Sequence, residues 1–126
     1  MTIFVFVYGS LKKGFHNHSV LGKSEFVQEA VLKDAFMVDL GSFPGMFKAE
    51  GELKGKMEVQ GEVYTVSPDI LKRLDRLEGH PNFYQREEVT LAEGGRAWAY
   101  FLNEKFSKER YKVCNTGKWQ FQNCGK

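Results

Sequence analysis

A carboxylate closes a short apolar stretch in Leu74-Asp75-Arg76-Leu77-Glu78-Gly79. At the end of a helical pattern Glu78 meets the negative end of the helix dipole, which disfavours its ionised form. Burial beside Leu77 would act in the same direction and raise its pKa. A carboxyl poised nearer neutrality can take up and return protons, so Glu78 is a candidate general acid and base. The alternatives are a solvated side chain or an ion pair with Arg76 or Arg86. A second candidate is the turn after the apolar run Ile3–Val7. There Tyr8-Gly9-Ser10-Leu11 could present backbone N–H groups to an anion or an oxyanion. A tight turn without a ligand is the other reading. Gly9 and Gly14 have the spacing of a phosphate-binding loop, but Phe15-His16 stand where that loop needs Lys and Ser or Thr. Without those side chains the phosphate and magnesium chemistry has no agent, and a phosphate loop is excluded.

Other candidates have plainer readings. In Gly79-His80-Pro81-Asn82-Phe83-Tyr84-Gln85-Arg86, Pro81 and Asn82 force a turn that could bring Tyr84 near the first turn. A core aromatic and a sheet-edge charge are the alternatives for Tyr84 and Arg86. Lys12 and Lys13 read as solvated. His16 and His18, two apart and without a nearby carboxylate, read as surface polar residues, so no metal is expected. Cys114 and Cys124 cannot make a zinc site with these histidines, and a disulfide between them would need an oxidising compartment.

These residues need elements to hold them. Ile3–Val7 is apolar on both faces, which suits a central, buried strand. Gly14 to Gly22 reads as a turn or a single helical turn. A second strand is expected over Val31–Leu40, with Lys33 and Asp34 breaking its pattern. Pro44-Gly45 marks a loop, and Met46–Glu50 is either a short strand or the loop's exit. Met57–Val66 alternates as a strand, and Gly61 inside it implies a bulge or a close backbone approach. Ser67-Pro68-Asp69 starts a helix: capping hydroxyl, proline in the first turn, then an acid. Ile70, Leu71, Leu74 and Leu77 share one face, and Gly79 ends it. Gln85–Leu91 and Arg96–Leu102 around Gly94-Gly95 form a hairpin. Strands dominate, which predicts an α+β domain built on a mixed sheet or barrel.

The 126 residues fit one domain over 1–126, and 42% apolar content with 11 phenylalanines fits a globular, aromatic-rich core. A net charge of +2 argues against a nucleic-acid or membrane surface. No apolar segment is long enough to span a bilayer, and Ile3–Val7 lacks the flanks of a signal peptide, so a cytoplasmic location is expected.

Five segments occur in order: Val7-Tyr8-Gly9-Ser10-Leu11-Lys12-Lys13-Gly14 with Asn17, Phe43-Pro44-Gly45, Val59-Gln60-Gly61-Glu62-Val63-Tyr64, Leu74-Asp75-x-x-Glu78-Gly79, and Tyr84-x-Arg86. Together they resemble the gamma-glutamylcyclotransferase-like superfamily, most closely its small gamma-glutamylamine cyclotransferase branch. The resemblance covers about residues 3–102 and leaves 106–126 without a role. It implies an α+β fold, a compact mixed β-barrel with short flanking helices. It also implies cofactor-free cyclisation of a gamma-glutamyl substrate to 5-oxoproline, in a monomer or weak dimer. By the same resemblance Glu78 moves the protons. Tyr8, Gly9, Ser10 and Leu11 bind the gamma-glutamyl group, Phe43, Pro44 and Gly45 line the cavity mouth, and Tyr84 is a hydrogen-bonding partner. The branch commonly has threonine in place of Ser10, so the hydroxyl is retained. A non-catalytic binder of small carboxylates and another gamma-glutamyl removal step, such as deprotection of a carrier-bound intermediate, are the competing readings. The tail's Trp119 and Phe121 could close over the cavity or pack outside the barrel.

Overall fold

The computed structural model describes residues 2–119 except 16, 42, 107–110 and 115. The main sheet has five strands in the spatial order β2 (Glu25–Lys33), β5 (Glu58–Val66), β1 (Ile3–Val7), β7 (Arg96–Leu102) and β6 (Tyr84–Thr90). β1 pairs antiparallel with β5 and parallel with β7, so it is the central strand its two apolar faces predict. Its alternating side chains feed two cores. Phe6, with Tyr8 just beyond the strand, packs with Met37, Val59 and Trp119, while Val5 and Val7 pack with Leu21, Phe47, Leu74 and Tyr100.

The remaining strands, β4 (Pro44–Lys48), β3 (Ala35–Asp39) and β8 (Lys112–Cys114), make a second sheet in that order. The α+β class is as expected. The barrel is corrected: the described strands form two sheets and do not close. The chain crosses between them at Asp34, which divides the second strand expected over 31–40. Asp34 has φ 59, a left-handed conformation that Asp tolerates better than most residues. Its carboxylate accepts the Gly55 N–H at 2.7 Å and its carbonyl accepts the Ala49 N–H at 2.8 Å. The chain therefore leaves one sheet at Lys33 and enters the other at Ala35.

The helix α1 spans Pro68–Leu77, and Ser67 Oγ accepts the Ile70 N–H at 3.2 Å as the cap. Leu74 is fully buried, but Leu77 is 43% exposed, although its spacing predicts the apolar face. It lies at the open end of the cavity described below. Gly79, at φ 67, then reverses the chain. The segment His18–Leu21 is the expected single helical turn. β6 and β7 form the expected hairpin.

Trp119 takes a different place from either one expected for it. Trp119 is 1% exposed inside the core, and its carbonyl accepts a hydrogen bond from Lys12 Nζ at 2.8 Å. Lys12 is accordingly buried rather than solvated. Burial lowers its pKa, with the nearby Glu62 opposing that shift. Cys114 is buried and is not a free thiol, whereas Cys124 and Phe121 lie outside the described residues. Among the described residues no helix is long and apolar enough to cross a membrane.

Candidate active site

The first strand ends in a turn closed by the Lys12 N–H on the Gly9 carbonyl at 3.0 Å. The N–H groups of Gly9, Ser10 and Leu11 find no acceptor among the described residues. Asn17 fixes the turn from the side: its N–H donates to the Ser10 carbonyl at 3.0 Å and its Nδ2 to Ser10 Oγ at 2.9 Å. His18 Nδ1 sits 2.9 Å from the Leu11 carbonyl, which gives that ring a structural partner. His16, the other histidine of that pair, lies outside the described residues.

Opposite the turn, α1 delivers Glu78. The Glu78 N–H donates to the Leu74 carbonyl at 2.9 Å, and the reversal at Gly79 lets the Tyr84 N–H return to the Glu78 carbonyl at 3.1 Å. The helix end and the start of β6 are thereby joined at the two residues that face the cavity. Burial pushes the Glu78 carboxyl up to about 7. Neither expected ion pair forms. Arg86 is committed to Asp75, with Nε 2.8 Å from Oδ1 and Nη2 3.0 Å from Oδ2, and its guanidinium stacks 4.6 Å from the Trp98 ring centre. Among the described residues Glu78 has no ion pair and no side-chain hydrogen bond.

Asp75 on α1 and Glu78 at its C-terminal cap thus meet opposite environments. Burial alone would raise Asp75, but hydrogen bonds from Arg86 and Tyr100 outweigh it and hold its carboxyl below the usual range. A carboxylate that stays charged beside one that titrates near neutrality is the pattern that separates structural from proton-moving acids.

Three tyrosines frame Glu78. Tyr8 donates its hydroxyl to the Tyr100 carbonyl at 2.7 Å, Tyr84 to the Pro44 carbonyl at 2.6 Å, and Tyr100 to Asp75 Oδ1 at 2.6 Å. Burial raises the pKa of each, so all three remain neutral donors. The resulting cavity is about 300 Å³. Of the expected site residues, Tyr8, Gly9, Ser10, Leu11, Phe43, Pro44, Glu78 and Tyr84 line it together. Gly45 does not: it faces Leu40 and Leu102, one residue further along β4. Phe6, Val7, Leu77, Phe83 and Tyr100 complete the lining, as does Asn17, beside the first turn, to which the motif alone assigns no role. Tyr100 sits in a strand with no polar face, and nothing in its neighbours distinguishes it.

The family described as gamma-glutamyl cyclotransferase, AIG2-like, matches residues 5–121. This chain belongs to it. Among its relatives is a Methanocaldococcus jannaschii protein named after the gamma-glutamylcyclotransferases. It is 40% identical over 106 residues, covering 80% of this chain and 85% of the relative. The Danio rerio gamma-glutamylaminecyclotransferase C is 37% identical over 95 residues, 69% of this chain and 60% of that protein. A crystal structure of a mouse AIG2-like protein shares the fold with a TM-score of 0.72 at 25% identity, covering 86% of this chain and 81% of that one. The expectation of an enzyme of the gamma-glutamylcyclotransferase type stands with this membership.

Within this family member one glycine couples two parts of the site. A Cβ on Gly9 would lie 2.7 Å from Pro44 Cγ and 2.9 Å from Cδ. The substitution Gly9→Ala should therefore push the turn away from the Phe43-Pro44 wall. A loss of about 1–3 kcal/mol in denaturant unfolding is expected from such overpacking. Ligand affinity should fall with it, because the free N–H groups move.

Proposed function

We propose that this protein cyclises gamma-glutamylamines to 5-oxoproline and a free amine, with Glu78 carrying the protons. The observation that supports the reading best is an unpaired carboxyl, raised by burial to about 7, lining the same cavity as a turn with free N–H groups. The name of the Danio rerio relative supports an amine as leaving group.

The ionised Glu78 takes one proton from the substrate's α-ammonium, which frees the nitrogen to attack the γ-carbonyl carbon. A carbon–nitrogen bond forms, and the carbonyl electrons move onto oxygen, where the N–H groups of Gly9, Ser10 and Leu11 are candidates to receive the charge. Glu78 then returns its proton to the departing nitrogen, the old carbon–nitrogen bond breaks, and the oxyanion collapses to the lactam carbonyl. The second proton of the attacking nitrogen follows the same route to the released amine. No net proton is gained or lost. Since nucleophile and electrophile belong to one chain, holding that chain folded supplies much of the acceleration.

Incubation with gamma-glutamyl amines, gamma-glutamyl dipeptides and glutathione, with mass detection of 5-oxoproline, tests the reading. Product from at least one gamma-glutamyl amine is the expected result. Saturable thermal stabilisation by these compounds without any 5-oxoproline would replace it with a binding role.

A further inference from the structure

Lys12 is the least exposed charged side chain among the described residues, at 6%, yet it does not line the cavity. Moving an ammonium out of water is costly, and an apolar side chain of similar length would fill the same space without that cost. Stability is therefore a poor reason for a lysine at this position. Its connections give a better one. The Lys12 backbone is part of the first turn: its N–H closes onto the Gly9 carbonyl at 3.0 Å, and its carbonyl accepts the Phe15 N–H at 3.0 Å. Its side chain leaves the turn. Nζ stands 5.2 Å from the Phe15 ring centre and donates to the Trp119 carbonyl at 2.8 Å.

The far end of this tether is itself fixed. Trp119 is 1% exposed. Two residues earlier, the Gly117 N–H donates to the Cys114 carbonyl at 3.0 Å, and the Gly117 carbonyl accepts the Gln60 N–H of β5 at 2.7 Å. Gly117 has φ 67, and a Cβ there would overlap the Glu58 carbonyl oxygen, so this segment lies close against β5. β5 also holds the exit of the turn, because Glu62 Oε1 accepts the Lys13 N–H at 2.9 Å. A hydrogen bond from a charged donor is roughly twice as strong as one between neutral groups. The Lys12 ammonium supplies such a bond between the turn and a segment 107 residues away.

We propose that Lys12 is a positioning residue, whose bond to Trp119 holds the turn so that the Gly9, Ser10 and Leu11 N–H groups meet the charge developing on the γ-carbonyl oxygen. This role rests on the cyclisation reading above. It also gives the segment that ends at Trp119 a part in the reaction. Donors that act on developing charge lower the barrier rather than tighten substrate binding, so a displaced turn costs kcat.

Lys12→Met keeps the length and packing of the side chain but has no donor. In the full chain it should lower kcat/KM for 5-oxoproline release from a gamma-glutamyl amine at least ten-fold, chiefly through kcat. Amide hydrogen exchange reads the turn directly. The N–H groups at positions 12 and 17 close onto the Gly9 and Ser10 carbonyls. Both should exchange at least ten-fold faster in Lys12→Met, while that of Leu71 in α1 keeps its rate. Lys12→Gln, polar but shorter, reads the same effects if the first variant does not fold. Parental kcat/KM in a folded variant overturns the inference, as does a loss confined to KM or unchanged exchange at positions 12 and 17. Absence of 5-oxoproline from the parent chain would sink the cyclisation reading, and the exchange rates would still decide whether Lys12 holds the turn.

Discussion

Glu78→Gln should lower kcat by about 10²–10⁴-fold, the range for loss of a positioned acid–base group, while the protein gains stability at neutral and alkaline pH. Gln keeps the shape and polarity of the side chain but cannot exchange a proton. The stability gain follows from the direction of the pKa shift. The folded value is about 7, against 4.5 for an unperturbed glutamate, so the folded chain holds a proton that the unfolded chain has already released. Below pH 4.5 both states are protonated and the side chain has no effect. As pH rises from there, ionisation favours the unfolded chain, and stability falls until the folded carboxyl also ionises near 7. The penalty then levels off at an amount on the order of 3 kcal/mol. The variant has no such group, so it should match the parent near pH 4 and exceed it near pH 8 in denaturant unfolding. Activity should in turn show an acid limb near 7, because the reaction starts from the carboxylate. Parallel stability–pH curves for parent and variant would show that Glu78 is not the desolvated, unpaired acid described above. Full turnover by the variant would remove it from the mechanism.

The second large effect is on the scaffold. Gly61→Ala should cost about 3 kcal/mol or more, at or beyond the upper end for overpacking. A Cβ at this position overlaps the Val7 carbonyl oxygen and would stand 2.7 Å from Phe6 Cζ. Phe6 is fully buried, and β1 is paired on both edges, so neither can give way easily. Relief requires β1 and β5 to separate at the very end of β1, one residue before Tyr8. The loss should therefore appear both as a lower denaturant midpoint and as weaker ligand binding by the folded fraction. An unchanged midpoint would mean that the two strands are not as closely apposed as the geometry requires.

Gly61 also marks how far local sequence can be read. A glycine inside a strand pattern signals a bulge or a close approach, and the approach is what occurs; the register shift in β2 lies elsewhere, between Phe26 and Gln28. The helix start at Ser67-Pro68 and the hairpin around Gly94 were legible for a similar reason, since caps and turns depend on residues a few positions apart. The barrel was not. Where the chain passes from one sheet to the other depends on the left-handed turn at Asp34, and that is held by hydrogen bonds from Ala49 and Gly55. The burial of Lys12 is not legible locally, because a lysine's default is solvent and its acceptor is a carbonyl 107 residues away.

For the site itself, the sequence determined the chemical inventory: a carboxyl at a helix end, a Gly-Ser turn after a buried strand, and a tyrosine on the returning chain. These follow from residue type and short-range spacing. What only the tertiary structure decided was the partnership of the charges. Arg86 could equally have reached Glu78 or Asp75, and the choice depends on where β6 and β7 set Arg86, Trp98 and Tyr100 against α1. Because Arg86 and Tyr100 both bind Asp75, Glu78 is left partly buried without a side-chain partner, and burial without a partner is what raises a carboxyl toward neutrality.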